Sequence, residues 1–183
     1  MNHFWQGIDG WVGENRTYKE AVENAQDGDH FVEVGVYKGR SAAYMAVEII
    51  NSGKDITFDA IDHFLGSPEH GDVSGILYDA TVQNLKPVAK HVNIIKEHSI
   101  AASTKYKDGS ITFAFIDGAH DYASVISDLR AWWPKVKVSG YLAGDDYQPS
   151  WPGVIKAVND FSEEIGVPFR IVPDTIHWIF EKN

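Results

Sequence analysis

An aspartate and a histidine stand three residues apart in "FIDGAHDY", Asp117 and His120, directly after the apolar run "ITFAF". Two more aspartates, Asp145 and Asp146, end a second apolar run in "GYLAGDDY". Carboxylates brought close together repel, and at least one is driven neutral unless a cation intervenes. An oxygen-only cluster suits a hard divalent ion, Mg²⁺ first, with Mn²⁺ or Ca²⁺ as alternatives. Histidine titrates near neutrality and can take a proton from a weak nucleophile. The plainer alternative is a turn in which aspartate caps the next helix and His120 faces water. Asp121 suits that N-cap better than Asp117 does.

These residues need elements that bring them together. Short apolar runs alternate with longer segments of helical pattern. Strands are expected at 30–36, 56–62, 92–97, 111–117 and 140–146. Helices are expected at 39–53, at 76–91 with a break near Pro87, and at 121–136 with a stop at Pro134. Another is expected at 152–166, with Pro152 in its first turn, and a short helix or turn at 99–109. The runs "PFRIVP" and "IHWIFEK" are separated by too few residues for a crossover, so they form an antiparallel hairpin. The pattern predicts an α/β fold, a doubly wound, mostly parallel seven-stranded sheet ending in that hairpin. Ligands of such sheets bind beyond the carboxyl ends of the strands, where Asp117, Asp145 and Asp146 fall. The fourth and fifth strands are expected to be neighbours, which would gather the three acids into one site.

The first strand runs into "EVGVYKGRS". Gly35 and Gly39 there allow unusual dihedrals and a close approach of backbone to a ligand. The spacing is E-x-G-x-x-x-G, not the G-x-G-x-x-G of a dinucleotide site. Glu33 lies inside the strand, a costly place for an acid without a partner. Asp62 ends the second strand about twenty residues past the loop, where an acid can take ribose hydroxyls.

This combination resembles the class I S-adenosylmethionine-dependent methyltransferases, and the likeness runs over nearly the whole chain. It implies that Gly35, Gly39 and Ser41 lie against the cofactor, that Glu33 holds the loop and the cofactor's amino group, and that Asp62 holds the ribose. "KEHS" is similar to the family's adenine-side loop, which implies His98 and Ser99 there; a solvated loop histidine is the alternative for His98. Asp117 would border the cofactor as well as the metal. An Asp after the fourth strand, a base three residues on and an acidic or amide pair after the fifth recur in divalent-metal-dependent O-methyltransferases. With histidine as base and Asp-Asp as the pair, this sequence is more similar to the macrocin-type and small surface-polysaccharide enzymes than to the catechol type. That implies His120 as base, a metal on Asp117, Asp145 and Asp146, and a small hydroxylated acceptor such as a sugar.

Length and composition agree with one globular domain of 183 residues. A net charge of −10 argues against a nucleic-acid partner. No apolar run approaches the ~20 residues of a membrane span, and the first residues do not read as a signal peptide. With no cysteine, disulfides and thiolate chemistry are excluded, and a cytoplasmic setting is the simplest expectation. The loop carrying His63, Glu69, His70 and Asp72 reads as a lid over the acceptor or a mobile polar loop. Phe4, Trp5 and Trp11 read as core packing or an acceptor wall, and Tyr147 and Trp151 as its border. Of Trp132 and Trp133, one is expected in the core and the other facing a second copy of the chain, as in a homo-oligomer. Two other functions compete: a metal-dependent hydrolase, which leaves the glycine loop and Asp62 without a role, and a non-catalytic cofactor-binding protein, which has no need of His120.

Overall fold

A computed structural model of the chain describes residues 1–11, 15–66 and 75–183. The chain falls into two compact units, Met1–His98 and Ser99–Asn183. In the first, α1 (Arg16–Asn24) precedes β1 (His30–Val34), α2 (Arg40–Ser52), β2 (Thr57–Asp62), α3 (Leu77–Asn84) and β3 (Asn93–Lys96). In the second, α4 (Ser99–Ser103) is followed by β4 (Ile111–Ile116), α5 (Tyr122–Trp132), β5 (Val136–Gly144), α6 (Pro152–Ile165), β6 (Phe169–Ile171) and β7 (Trp178–Glu181). The seven strands run in the order β3-β2-β1-β4-β5-β7-β6. β1, β2 and β3 pair in parallel, as do β4 and β5. β7 is antiparallel to both β5 and β6, the hairpin expected from the sequence.

Local chemistry sets the boundaries. α2 lies between two left-handed glycines, Gly39 (φ 82°) and Gly53 (φ 70°). Its small residues Ala42, Ala43 and Ala46 are fully buried and let it sit close to its neighbours. The helical pattern through Pro87 breaks as expected, with α3 giving way to a 3-10 turn over Lys86–Val88. α5 gives way to another over Trp133–Lys135. Asp121 is the N-cap of α5, its carboxylate accepting from the Ser124 amide at 3.1 Å.

Two elements depart from the sequence reading. α1 carries no expected element, because only Thr17, Tyr18 and Val22 of its nine residues are buried. Its ends are tied by polar groups instead. The Asn15 side chain accepts from the Tyr18 amide at 3.0 Å, and Lys54 Nζ donates to the Val22 and Glu23 carbonyls at 2.7 Å each. β5 begins at Val136, four residues earlier than expected, and passes through an irregularity at Ser139 (φ 61°). Gly140 permits that passage: a Cβ there would meet the Thr112 carbonyl oxygen at 2.8 Å. Trp132 is fully buried, and Trp133 is half-buried against Phe161 and Phe180. Among the described residues no helix is long and apolar enough to cross a membrane.

Candidate active site

The first unit builds a glycine loop fastened on every side. Gly35 (φ 91°) and Gly39 (φ 82°) turn the chain from β1 into α2, with Tyr37 between them at φ 49°. A Cβ on Gly39 would lie 3.1 Å from Leu85. Asp62, at the end of β2, accepts from the Val36 and Tyr37 amides at 2.9 Å each through Oδ2, and from Phe64 through Oδ1 at 2.6 Å. From α3, Thr81 donates to the Tyr37 carbonyl at 2.6 Å and Asn84 to that of Lys38 at 2.9 Å. The N-terminal segment closes the outer side: Lys38 donates to Asp9 and Arg40 to the Ile8 carbonyl, both at 2.5 Å.

Beneath the loop, Glu33 is wholly buried. Ser41, in the first turn of α2, donates to its Oε1. Its Oε2 has no hydrogen-bond partner among the described residues. Burial pushes the carboxyl up to about 8, with Asp62 adding to the rise and the Ser41 and Tyr18 hydroxyls opposing it. His98 is exposed, its ring centroid 4.9 Å from that of His63. Glu69, His70 and Asp72 of the expected lid lie outside the described residues. Trp5 is buried, under the Arg40 guanidinium, while Phe4 is half-buried. Trp11 is 74% exposed, 5.2 Å from Tyr37.

In the second unit, Ser99 faces inward. Its hydroxyl donates to Asp128 and accepts from Trp132 Nε1 at 2.9 Å. Asp128 is nearly buried, and desolvation lifts its carboxyl to about 6 against the opposing Ser99 hydrogen bond.

The chemistry expected after β4 and β5 assembles around Asp117, His120 and Asp146. One ligand atom from each lies within 4.8 Å of the others. His120 Nε2 is 2.9 Å from Asp146 Oδ2, and Gln148 Nε2 donates to Asp146 Oδ1 at 3.0 Å. Facing a carboxylate, Nε2 is assigned the proton, which places the lone pair of neutral His120 on Nδ1. Trp151 stacks on the imidazole with centroids 4.0 Å apart. The backbone beneath is close-packed. A Cβ on Gly153, in the first turn of α6, would meet the His120 carbonyl oxygen at 2.5 Å.

This grouping differs from the three-aspartate cluster expected from the sequence. His120 takes the third place, and Asp145 turns to His177, with Oδ1 and Nε2 3.5 Å apart. The reason is the backbone: Asp146 leaves the strand at φ 64°, and the Asp145 carboxylate folds back to accept its amide at 2.6 Å. Burial pushes Asp145 up and His177 down, while each partner's charge opposes the shift of the other. His177 was absent from the sequence reading. The available signal was the β5–β7 register, in which Gly144 faces Trp178, so the next residues along are Asp145 and His177.

Comparison with known proteins agrees with this architecture. Residues 32–147 match the family described as Methyltransferase domain, more than half of the chain. The chain therefore belongs to the class I S-adenosylmethionine-dependent methyltransferases. A curated relative, an uncharacterised protein of Acanthamoeba polyphaga mimivirus, is 27% identical over 139 residues, 74% of this chain. The chain spans 60% of that relative's length. Among solved structures, the O-methyltransferase NovP superposes with a TM-score of 0.70 at 20% identity, over 92% of this chain and 78% of NovP. A Streptococcus mutans protein solved in complex with S-adenosylhomocysteine gives 0.64 at 12%, over 91% and 96%. CalS11, a TDP-rhamnose 3'-O-methyltransferase of calicheamicin biosynthesis, gives 0.61 at 16%, over 90% and 74%.

Proposed function

We propose that the protein transfers the methyl group of S-adenosylmethionine to a hydroxyl of a small acceptor, with His120 as general base. The observation that carries this reading is the pair His120 Nε2–Asp146 Oδ2 at 2.9 Å with Asp117 in the same cluster. Methyl transfer from a sulfonium is an in-line displacement, and a neutral hydroxyl is a poor nucleophile until its proton leaves. Nδ1 of His120 takes that proton as the oxygen–carbon bond forms, and S-adenosylhomocysteine leaves with the sulfonium's electron pair. Asp146 orients the ring and stabilises the imidazolium that results. Trp151 keeps the ring from turning away.

Asp117 and Asp146 would also suit a divalent ion held on their carboxylates, Mn²⁺ or Mg²⁺; an imidazole that ligated it could not at the same time take the acceptor's proton, so His120 keeps the role of base beside it. Such an ion, when bound, lowers the pKa of a hydroxyl it touches. On the donor side, Glu33, Gly35, Gly39 and Ser41 form the cradle for the methionine end. Asp62 spends three acceptor positions on loop amides and has one left for a ribose hydroxyl. His98 supplies a ring beside the adenine. Ser99 acts there through its backbone, because its hydroxyl is engaged by Asp128 and Trp132. A sugar acceptor is supported by the fold shared with the TDP-rhamnose enzyme.

The test is a methyl-transfer assay with labelled S-adenosylmethionine against nucleotide sugars, free sugars and phenols, beside calorimetry with S-adenosylhomocysteine. Labelled product from a hydroxyl acceptor, lost in His120→Ala while S-adenosylhomocysteine still binds, supports the reading. A protein that binds neither form of the cofactor at millimolar concentration overturns it.

A further inference from the structure

The β6–β7 hairpin is more than the sheet's margin. Residues 176–178 grip the segment 145–147 at three successive points. The Tyr147 amide donates to the Ile176 carbonyl at 2.9 Å. His177 Nε2 faces Asp145 Oδ1 at 3.5 Å. Trp178 Nε1 donates to the Asp145 carbonyl at 3.0 Å. Between these holds Asp146 adopts φ 64°, a left-handed conformation that a non-glycine residue keeps only when its surroundings enforce it. The enforcing group is the Asp145 carboxylate, which accepts the Asp146 amide at 2.6 Å and is itself turned toward His177. The far end of the chain of contacts is the 2.9 Å pair of Asp146 with His120.

We infer that His177 is a positioning residue of the active site, acting through Asp145 to fix the backbone and carboxylate of Asp146 and thereby the ring of His120. The inference rests on the reading of Asp117, His120 and Asp146 as the reacting cluster. His177 touches none of the reacting groups in this account. It is mostly buried, its ring edge-to-face with Phe115 at 5.4 Å, so its own orientation is set by packing. Its amide is held as well, donating to Thr175 Oγ1 at 3.0 Å. An imidazole there does what a partner behind a metal-ligating or basic residue generally does: it fixes the rotamer that the nearer groups depend on.

The experiment compares the full-length wild type with His177→Leu, which removes the polar partner, and His177→Gln, which restores a donor. Two readouts are needed. The first is the affinity for Mn²⁺ alone, from the electron paramagnetic resonance of the unbound ion. The second is the ¹⁵N spectrum of the histidine rings in metal-free protein, with the His120 signal assigned by its loss in His120→Asn. The expectation for Leu is Mn²⁺ binding weaker by roughly 10–100-fold. The Leu variant should also lack the shift of a ring nitrogen hydrogen-bonded to Asp146, and Gln should recover both. Wild-type protein that binds no Mn²⁺ removes the metal from the proposed function, and the ring spectrum then decides the role of His177 unaided. His177→Leu with a wild-type His120 signal overturns the inference, as does a folded Gln variant as impaired as Leu. If Leu does not fold, His177→Ser, too short to reach Asp145, takes its place with the same expectations.

Discussion

Glu33 concentrates the conflict between folding and binding in one carboxyl. It is sealed from water, and the Ser41 and Tyr18 hydroxyls compensate only part of its desolvation. With its folded value near 8 against an ordinary 4.5, the folded chain keeps a proton between those limits that the unfolded chain has lost. Stability from this group is full below the lower value and falls as pH rises through the upper one. Thermal melts across that window should therefore show wild type losing melting temperature relative to Glu33→Gln, which keeps an acceptor for Ser41 and does not titrate. Parallel pH profiles for the two chains would mean that Glu33 titrates as an ordinary acid. Asp128 has the same sign over a lower window, 3.8 to about 6, and is common to both chains, so it cancels in the comparison. For His120 the expectation is kinetic. His120→Ala should lower turnover by on the order of 10²–10⁴ with S-adenosylhomocysteine affinity nearly unchanged. Trp151→Ala should impair turnover less, because it removes the ring's support and not the ring.

At the scale of elements, α6 and the His120 turn are close-packed through Gly153. Adding a methyl in Gly153→Ala forces the His120 carbonyl and the helix apart, at about 1–3 kcal/mol of stability. Turnover should fall further than stability accounts for, since the displaced backbone carries the base. A variant that melts like wild type and turns over at the wild-type rate would show that α6 does not set the position of His120. Most of the elements were legible because their signals are local. Gly39 and Gly53 delimit α2, Pro87 and Pro134 break helices, and Asp121 caps α5. α1 was not, because its stability comes from tertiary contacts such as Lys54 at its carboxyl end. The cluster was legible as Asp117, His120 and an acidic pair after β5. Which member of the pair turns inward was not. Consecutive residues of a strand point to opposite faces, but Asp146 leaves the strand by a left-handed turn that no residue type at that position announces. That choice is made by His177 and Trp178, each 32 residues further along than Asp145 and Asp146 respectively, where the chain enters the antiparallel β7.

For the molecule as a whole, the acidic cluster sits in a chain of net charge −10, so general screening and specific ion binding both oppose self-repulsion. They separate by concentration. An ion that binds only the folded state raises the melting temperature by linkage. Micromolar to millimolar Mn²⁺ should therefore raise it over an EDTA control at matched ionic strength. Asp117→Asn should lose most of that increment while its melt in EDTA stays at or above wild type, because one of the mutually repelling carboxylates has gone. Equal increments in the two proteins would place any Mn²⁺ effect outside this cluster.

The turn joining β6 to β7 has a consequence for how such a sequence can change in length. The Val172 amide donates to the His177 carbonyl at 2.9 Å, and Thr175 ties the turn by donating to the Val172 carbonyl through both its amide and its hydroxyl, at 3.1 and 2.9 Å. Surface turns are ordinarily where insertions and deletions accumulate harmlessly. Here a single added residue would either bulge out or slip β7 by one place, and a slip exchanges the two faces of the strand. The residue opposite Asp145 would then no longer be a histidine. Descendants of this gene should accept many substitutions in 173–175 yet almost no change in its length, although the turn touches no reacting group. A library randomised there in both sequence and length, selected for methyl transfer, should return diverse residues at one spacing.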